Sequence, residues 1–137
     1  MVQGLVITHG KLGSELIKVV GQVMGMVGDL TDLSNEGLSA LTLQTEIACW
    51  LDRAEVTAAG AILFIDDFGG SCASSAQLAC GEQSQVVILS GVNLAMLLAF
   101  VSWRESLPLP ELSQRLVEKG RSAIVRIGQT GRPEPNS

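Results

Sequence analysis

Cysteine and basic residues are both scarce in this chain of 137 residues. The three cysteines, Cys49, Cys72 and Cys80, are widely spaced and form no CxxC motif, so a disulfide framework is excluded and a reduced, cytoplasmic setting is expected. Lys and Arg together number 9 against 14 Asp and Glu, which gives a net charge of -5. Because phosphate backbones and anionic lipids need clustered cations, this composition argues against nucleic-acid binding and against a membrane-surface patch.

Long hydrophobic runs are also missing, although one long stretch without charged residues could be mistaken for a membrane span. No charged residue lies between Glu82 and Arg104, a length sufficient in principle to cross a bilayer. The turn residues at 90–93 (SGVN) interrupt this stretch, and the unbroken apolar run over 94–101 is too short for a span. We therefore interpret it as a buried strand, a loop and a core helix, and we expect no membrane insertion. The first four residues also lack the basic region of a signal peptide.

Apolar residues, by contrast, are plentiful, at 47% of the chain against 17% charged, which is enough for the core of one domain. Short apolar runs alternate with amphipathic stretches, a pattern typical of α/β proteins with a parallel sheet. The pattern predicts strands at 4–8, 28–33, 59–65 and 85–89, helices at 12–26, 43–54, 72–80, 94–103 and 110–120, and a last short edge strand at 123–127. We interpret 1–127 as the domain and 128–137 as a flexible tail or linker stump.

Polar residues and glycines gather where three of the predicted strands end. They are His9 (the single histidine) after the first strand, Asp66 and Asp67 with Gly69, Gly70 and Ser71 after the third, and Asn93 after the fourth. In open parallel sheets, ligands bind at the carboxyl ends of the strands. If these strands are neighbours, the histidine, the carboxylates and the glycine turns share one site.

These residue types suit phosphoryl transfer to histidine. A neutral imidazole is a good phosphoryl acceptor, and a carboxylate bonded to one ring nitrogen fixes the tautomer and orients the lone pair on the other. Glycines at a helix start expose backbone N–H groups, and the helix dipole favours a phosphate there. Each feature also has a simpler interpretation: His9 as a loop residue, the aspartates as a helix cap, and the glycines as a tight turn.

Three ordered motifs resemble the IIA component of the mannose-family sugar phosphotransferase system. They are a strand with a His-Gly helix start at 6–12 (VITHGKL), a strand leading to Asp-x-aromatic-Gly-Gly-Ser at 63–71 (LFIDDFGGS), and a Gly-Val-Asn loop before an apolar helix at 91–97 (GVNLAML). The resemblance covers residues 4–127. It implies a three-layer α/β/α fold with a mainly parallel four-stranded sheet, plus a C-terminal edge strand at 123–127 that is exchanged between the subunits of a homodimer.

The resemblance also implies a cytoplasmic phosphotransferase component. His9 would accept a phosphoryl group from phosphorylated HPr and pass it to a separate IIB protein, for sugar uptake or for regulation. Asp66 would orient His9, and Gly69, Gly70 and Ser71 would bind the phosphate. No cofactor and no metal is expected.

The chain departs from the family pattern beside the site. Asp67 stands where the family is usually uncharged and Cys72 where proline is usual, so these residues, together with Asn93, are candidate modulators of transfer. Two alternatives within the fold are a phosphoryl donor of the dihydroxyacetone-kinase type and a binding or regulatory module that is not phosphorylated. A third is thiol chemistry, in which a helix N-terminus lowers the pKa of Cys72 and His9 and Asp66 act as base and orienting group.

Overall fold

The computed structural model describes residues 1–27 and 30–128, so the predicted tail from 129 onward and the start of the strand predicted at 28–33 lie outside the described residues. The described part contains four strands and six helices. In chain order they are β1 (Gln3–Thr8), α1 (Leu12–Met24), β2 (Leu30–Ser34), α2 (Ala40–Leu51), α3 (Ala54–Ala59), β3 (Ala61–Ile65), α4 (Ser71–Cys80), β4 (Val86–Ser90), α5 (Leu94–Trp103) and α6 (Leu109–Ser122).

The four strands form one parallel sheet in the order β2-β1-β3-β4. Side chains alternate across a strand, so β3 contributes to a core on each face of the sheet. Ile62 and Phe64 pack with residues of α1, α5 and α6, whereas Leu63 and Ile65 pack with residues of α2, α3 and α4. The result is the predicted three-layer α/β/α arrangement.

The strand order reverses direction between β1 and β3. From β1 the chain crosses through α1 to β2 on one side, and it later returns through β3 on the other side of β1. Such a reversal leaves a crevice at the carboxyl ends of the two strands, where ligands bind in open α/β folds. His9 follows β1 and Asp66 follows β3, so both lie at this crevice.

Several predicted boundaries need correction. The first helix ends at Met24, because Gly25 adopts a left-handed conformation with φ 77° and closes the helix. The helix predicted at 43–54 is two helices, since the chain leaves helical geometry at Arg53 (φ -68°, ψ 145°) before α3 begins. The last helix starts at Leu109, one residue before the predicted Pro110, and continues past Gly120 to Ser122.

The strand predicted at 123–127 is wrong for the single chain. Residues 124–127 have no regular secondary structure, and the side chains of Ile124 and Ile127 are 75% and 81% exposed. A strand needs a partner for its backbone N–H and C=O groups, and within the described residues the sheet ends at β4. Within residues 1–27 and 30–128, the outer edge of β4 is therefore open.

The uncharged stretch between Glu82 and Arg104 folds as predicted, into β4, a loop and the core helix α5. Among the described residues, no helix has both the length and the apolar character that a bilayer crossing requires.

Candidate functional site

His9 and Asp66 come together at the crevice between β1 and β3. The ring Nδ1 of His9 lies 2.9 Å from Asp66 Oδ2, and the backbone N–H of His9 donates to the same oxygen at 2.9 Å. Two hydrogen bonds to one carboxylate fix both the backbone and the ring of His9. The side chain of Asp66 is only 11% exposed, whereas that of His9 is 51% exposed, so one face of the ring is open to a partner.

The Asp66 carboxylate is ionised at neutral pH. Burial acts to raise its pKa, but the hydrogen bonds from the backbone and ring of His9, together with the charge of His9, outweigh burial and lower the pKa below the ordinary 3.8. An ionised carboxylate only accepts hydrogen bonds, so in the neutral imidazole the proton belongs on Nδ1. The lone pair of Nε2 is then available to an electrophile.

The other edge of the His9 ring faces the start of α4. A Cβ atom added at Gly70 would lie 3.1 Å from His9 Cε1 and 3.4 Å from Nε2, so the ring packs directly on this glycine. Gly70 is the N-cap residue of α4, and no side chain caps the helix. The backbone N–H groups of the first turn therefore remain for a ligand near Nε2, where the helix dipole also favours negative charge.

The loop between Asp66 and α4 contains the other predicted phosphate-binding residues. Asp67 Oδ1 accepts a hydrogen bond from the Gly69 N–H at 3.4 Å, which makes this second aspartate a support of the turn. Ser71 is the exposed first residue of α4. Phe68, in the same loop, is 67% exposed, so the loop also presents an apolar side chain to solvent.

Two supports of the histidine turn were missed by the sequence analysis. The buried Thr8 accepts a hydrogen bond from the Gly13 N–H through Oγ1 at 2.7 Å, which ties the end of β1 to the start of α1. Asn35 accepts from the Gly10 N–H through Oδ1 at 3.4 Å. Asn35 directly follows β2, so the strand-end argument applied to the neighbouring strand would have found it.

Asn93 has a different position from the rest of the predicted set. Its Oδ1 accepts from the Met96 N–H at 3.0 Å and so caps α5, while its Nδ2 donates to the Gly120 carbonyl at 3.3 Å. These hydrogen bonds join β4, α5 and α6, and they do not extend to His9 or Asp66.

The thiol of Cys72 is not a low-pKa nucleophile. The residue is fully buried in the first turn of α4. Burial, and then the negative charge of Asp66, raise its pKa to about 11, where the sequence interpretation expected a lowered value. Desolvation and a neighbouring carboxylate therefore outweigh the helix N-terminus, and the thiol stays protonated at neutral pH.

Comparison with known families agrees with this arrangement. Residues 4–117 match the family EIIA-man, described as the PTS system fructose IIA component. The chain belongs to the EIIA-man family. The resemblance drawn from the three sequence motifs is thereby confirmed. Comparison with curated proteins finds no match.

Solved EIIA structures share the fold. A phosphotransferase system EIIA component from Streptococcus agalactiae superposes with a TM-score of 0.81 at 18% identity, covering 92% of this chain and 97% of its own. The mannose/sorbose-specific IIA subunit from Enterococcus faecalis gives 0.79 at 21% identity, covering 96% and 98%. A IIA protein associated with a fucose utilization operon in Streptococcus pneumoniae gives 0.78 at 19%, covering 92% and 96%. These likenesses establish the three-layer fold.

Membership of EIIA-man also assigns a general role. The chain is a IIA component of the phosphotransferase system, a role that implies, in general terms, phosphotransferase activity and HPr and IIB partners.

Proposed function

We propose that this EIIA-man protein is a phosphohistidine carrier. It accepts a phosphoryl group on His9 from phosphorylated HPr and passes the group to a separate IIB protein, for sugar uptake or regulation. One observation carries the proposal: a largely buried carboxylate, Asp66, holds Nδ1 of His9 at 2.9 Å, while the opposite edge of the half-exposed ring packs on Gly70 at the uncapped start of α4.

The transfer itself is a displacement at phosphorus. The Nε2 lone pair of His9 forms the new P–N bond, and the P–N bond to the donor histidine of HPr breaks, with its electron pair returning to the donor ring. The proton on Nδ1 stays hydrogen-bonded to Asp66, whose negative charge compensates the positive charge that develops on the phosphorylated ring. Transfer to IIB runs through the same steps in reverse, with His9 as the leaving group.

The start of α4 provides the phosphate environment in this proposal. The backbone N–H groups of the first turn, the Ser71 hydroxyl and the backbone at Gly69 and Gly70 would bind the phosphate. The packing of the His9 ring on Gly70, at the uncapped start of the helix, supports this arrangement. A helix N-terminus stabilises an anion by about 0.3–1 kcal/mol at an exposed site. The P–N bond holds the phosphoryl group, and an interaction of that size stabilises its charge without preventing onward transfer.

The proposal extends to the domain and its assembly. Residues 1–127 form the phosphocarrier domain, which acts in the cytoplasm as a homodimer. A groove of about 390 Å³ runs along β4 and the C-terminal end of α6, with Ile124 among its lining residues. The open edge of β4 and the exposed apolar residues at 123–127 support exchange of this segment between two subunits.

Phosphorylation in a reconstituted system tests the proposal. The protein is incubated with phosphoenolpyruvate, enzyme I and HPr, and intact mass is recorded before and after mild acid. We expect one acid-labile phosphoryl group on the wild-type chain and none on His9→Ala. If the wild type gains no mass, the carrier proposal is wrong, and a binding module that is not phosphorylated becomes the better account. If His9→Ala gains as much mass as the wild type, His9 does not carry the phosphoryl group, and the proposal is wrong as well.

The protein that takes the phosphoryl group from His9 distinguishes a sugar-system carrier from a phosphoryl donor of the dihydroxyacetone-kinase type. Phosphorylated protein is mixed with IIB proteins and, separately, with dihydroxyacetone-kinase subunits. Loss of the phosphoryl group only to IIB supports the sugar-system role, whereas transfer only to the kinase subunits favours the donor type.

A further inference from the structure

Cys72, whose thiol can bind a metal ion as imidazole and carboxylate groups can, lies beside the His9–Asp66 pair. One ligand atom from each of His9, Asp66 and Cys72 can be chosen so that all three lie within 4.8 Å of one another. His9 is half-exposed, Asp66 is largely buried and Cys72 is fully buried. The three side chains come from the end of β1, the end of β3 and the first turn of α4, so three separate elements converge on one point.

A second observation concerns the hydrogen bonds of the Asp66 carboxylate. Asp66 uses Oδ2 for both hydrogen bonds from His9. Its other oxygen, Oδ1, is buried and has no hydrogen-bond partner. A buried carboxylate oxygen without a donor is unfavourable, and such groups are rare in folded proteins. A cation bound at this oxygen would remove that penalty.

The donor set selects the class of cation. Thiolate, imidazole and carboxylate together suit a borderline-soft divalent metal, and Zn²⁺ binds all three, at about 2.3 Å to sulfur and about 2.0–2.2 Å to nitrogen and oxygen. Ligand atoms around such an ion are about 3.5 Å apart, so the cluster closes by about 1 Å on binding. The exposed face of His9 leaves the fourth position to water.

We propose that His9, Asp66 and Cys72 form a Zn²⁺ site, and that the bound ion prevents His9 from accepting a phosphoryl group. Binding displaces the thiol proton of Cys72 to solvent, and the sulfur forms the Zn–S bond. A neutral imidazole has one lone pair. If Zn²⁺ takes Nε2, that lone pair is occupied; if it takes Nδ1, the ring proton moves to Nε2. In both cases Nε2 cannot attack phosphorus.

The metal site stands independently of the carrier function, whereas the block on transfer rests on the function proposed above. The first experiment therefore measures metal binding alone. Wild-type protein is titrated with ZnCl2 by calorimetry, and with CoCl2 while the near-ultraviolet thiolate-to-cobalt charge-transfer band is recorded. Cys72→Ser and Cys72→Ala remove the thiol. Cys80→Ser, at the buried end of the same helix, and Cys49→Ser, at an exposed position, are the matched controls.

We expect one Zn²⁺ per chain, a charge-transfer band with Co²⁺, and a loss of affinity of about 100-fold or more in both Cys72 variants. The controls should bind as the wild type does. Equal affinity in the wild type and Cys72→Ala, or no charge-transfer band in the wild type, would overturn the site. The cobalt spectrum of the unmodified protein keeps the test decisive if a Cys72 variant fails to fold.

The second experiment measures transfer from purified phospho-HPr with and without one equivalent of Zn²⁺. We expect Zn²⁺ to slow the wild type at least about tenfold, EDTA to restore the rate, and Cys72→Ala to be insensitive to the ion. Undiminished transfer in protein shown to hold Zn²⁺ would overturn the block. If the metal binds but no transfer occurs even with EDTA, the carrier function fails while the metal site stands.

Discussion

Asp66 positions both the backbone and the ring of His9, since its Oδ2 interacts with the backbone N–H and with the ring Nδ1. Replacement of Asp66 by Asn keeps the size but removes the charge, and an amide offers an N–H that favours the other ring tautomer. We expect the rate of phosphoryl transfer from phospho-HPr to fall about 100-fold or more. The readout is the initial rate of mass gain, with thermal unfolding as the check on folding. A rate within twofold of the wild type would show that Asp66 does not orient the ring.

Asp67 offers a separate test, because its charge and its hydrogen bond to the Gly69 N–H can be removed one at a time. Asp67→Asn keeps the acceptor oxygen, whereas Asp67→Ala removes both. We expect Asp67→Asn to lengthen the lifetime of the phosphohistidine about two- to threefold, as removal of one exposed negative charge allows. Asp67→Ala should in addition loosen the turn and slow transfer. Identical phosphohistidine half-lives in the wild type and Asp67→Asn would show that the extra charge has no effect.

Residue-level predictions from the sequence succeeded where position along a strand decides the outcome. The strand ends predicted that His9 and the two aspartates share one edge of the sheet. The choice of Asp66 as the partner of His9 was implied by the family resemblance, and the structure brings these two side chains together. The thiol alternative depended on a lowered pKa of Cys72, and this direction is wrong. The sequence shows the helix start but neither the depth of burial nor the carboxylate beside the thiol. The roles in transfer of all the predicted site residues stay predictions.

At the scale of elements, the position of α4 against His9 is the critical contact. A methyl group at Gly70 would press on the His9 ring, with Cβ at 3.1 Å from Cε1, whereas one at Gly69 would meet no atom within 4 Å. We therefore expect Gly70→Ala to slow phosphoryl transfer by about tenfold or more, because small displacements of a reacting group carry large rate penalties. Gly69→Ala should have a smaller effect. Equal rates in the two variants would contradict the packing of the ring on α4.

The sequence pattern predicted most of the strands and helices but missed one helix break and predicted one strand that the single chain does not form. Apolar runs and helical periodicity located all four strands of the sheet and five of the six helices in the described part of the chain. The break between α2 and α3 was missed, because no glycine or proline marks Asp52 or Arg53. The strand at 123–127 was wrong for the single chain, because an apolar segment becomes a strand only where a neighbouring strand pairs with it.

At the scale of the whole molecule, the open edge of β4 and the exposed Ile124 and Ile127 predict a homodimer. Ile124→Asp combined with Ile127→Asp places charges in the segment that we propose is exchanged. Sedimentation velocity should show a dimer for the wild type and a shift toward monomer for the double variant. Leu78→Asp, at an exposed apolar position on α4, is the matched control and should leave the dimer intact. A wild-type chain that sediments as a monomer at all concentrations would contradict the exchange.

The net charge of -5 is a further property of the whole molecule that bears on its partners. An acidic carrier suits a donor whose docking face is basic, because opposite charges speed association.

The central claim is that His9 carries the phosphoryl group on Nε2, and one spectrum tests it. Protein with ¹⁵N-labelled histidine is phosphorylated through HPr, and the ring nitrogens of the single histidine are assigned by two-dimensional ¹H–¹⁵N NMR. We predict coupling to phosphorus at Nε2 and a protonated Nδ1 that remains hydrogen-bonded to Asp66. Phosphorus on Nδ1, or an unchanged histidine spectrum after incubation, would contradict the account.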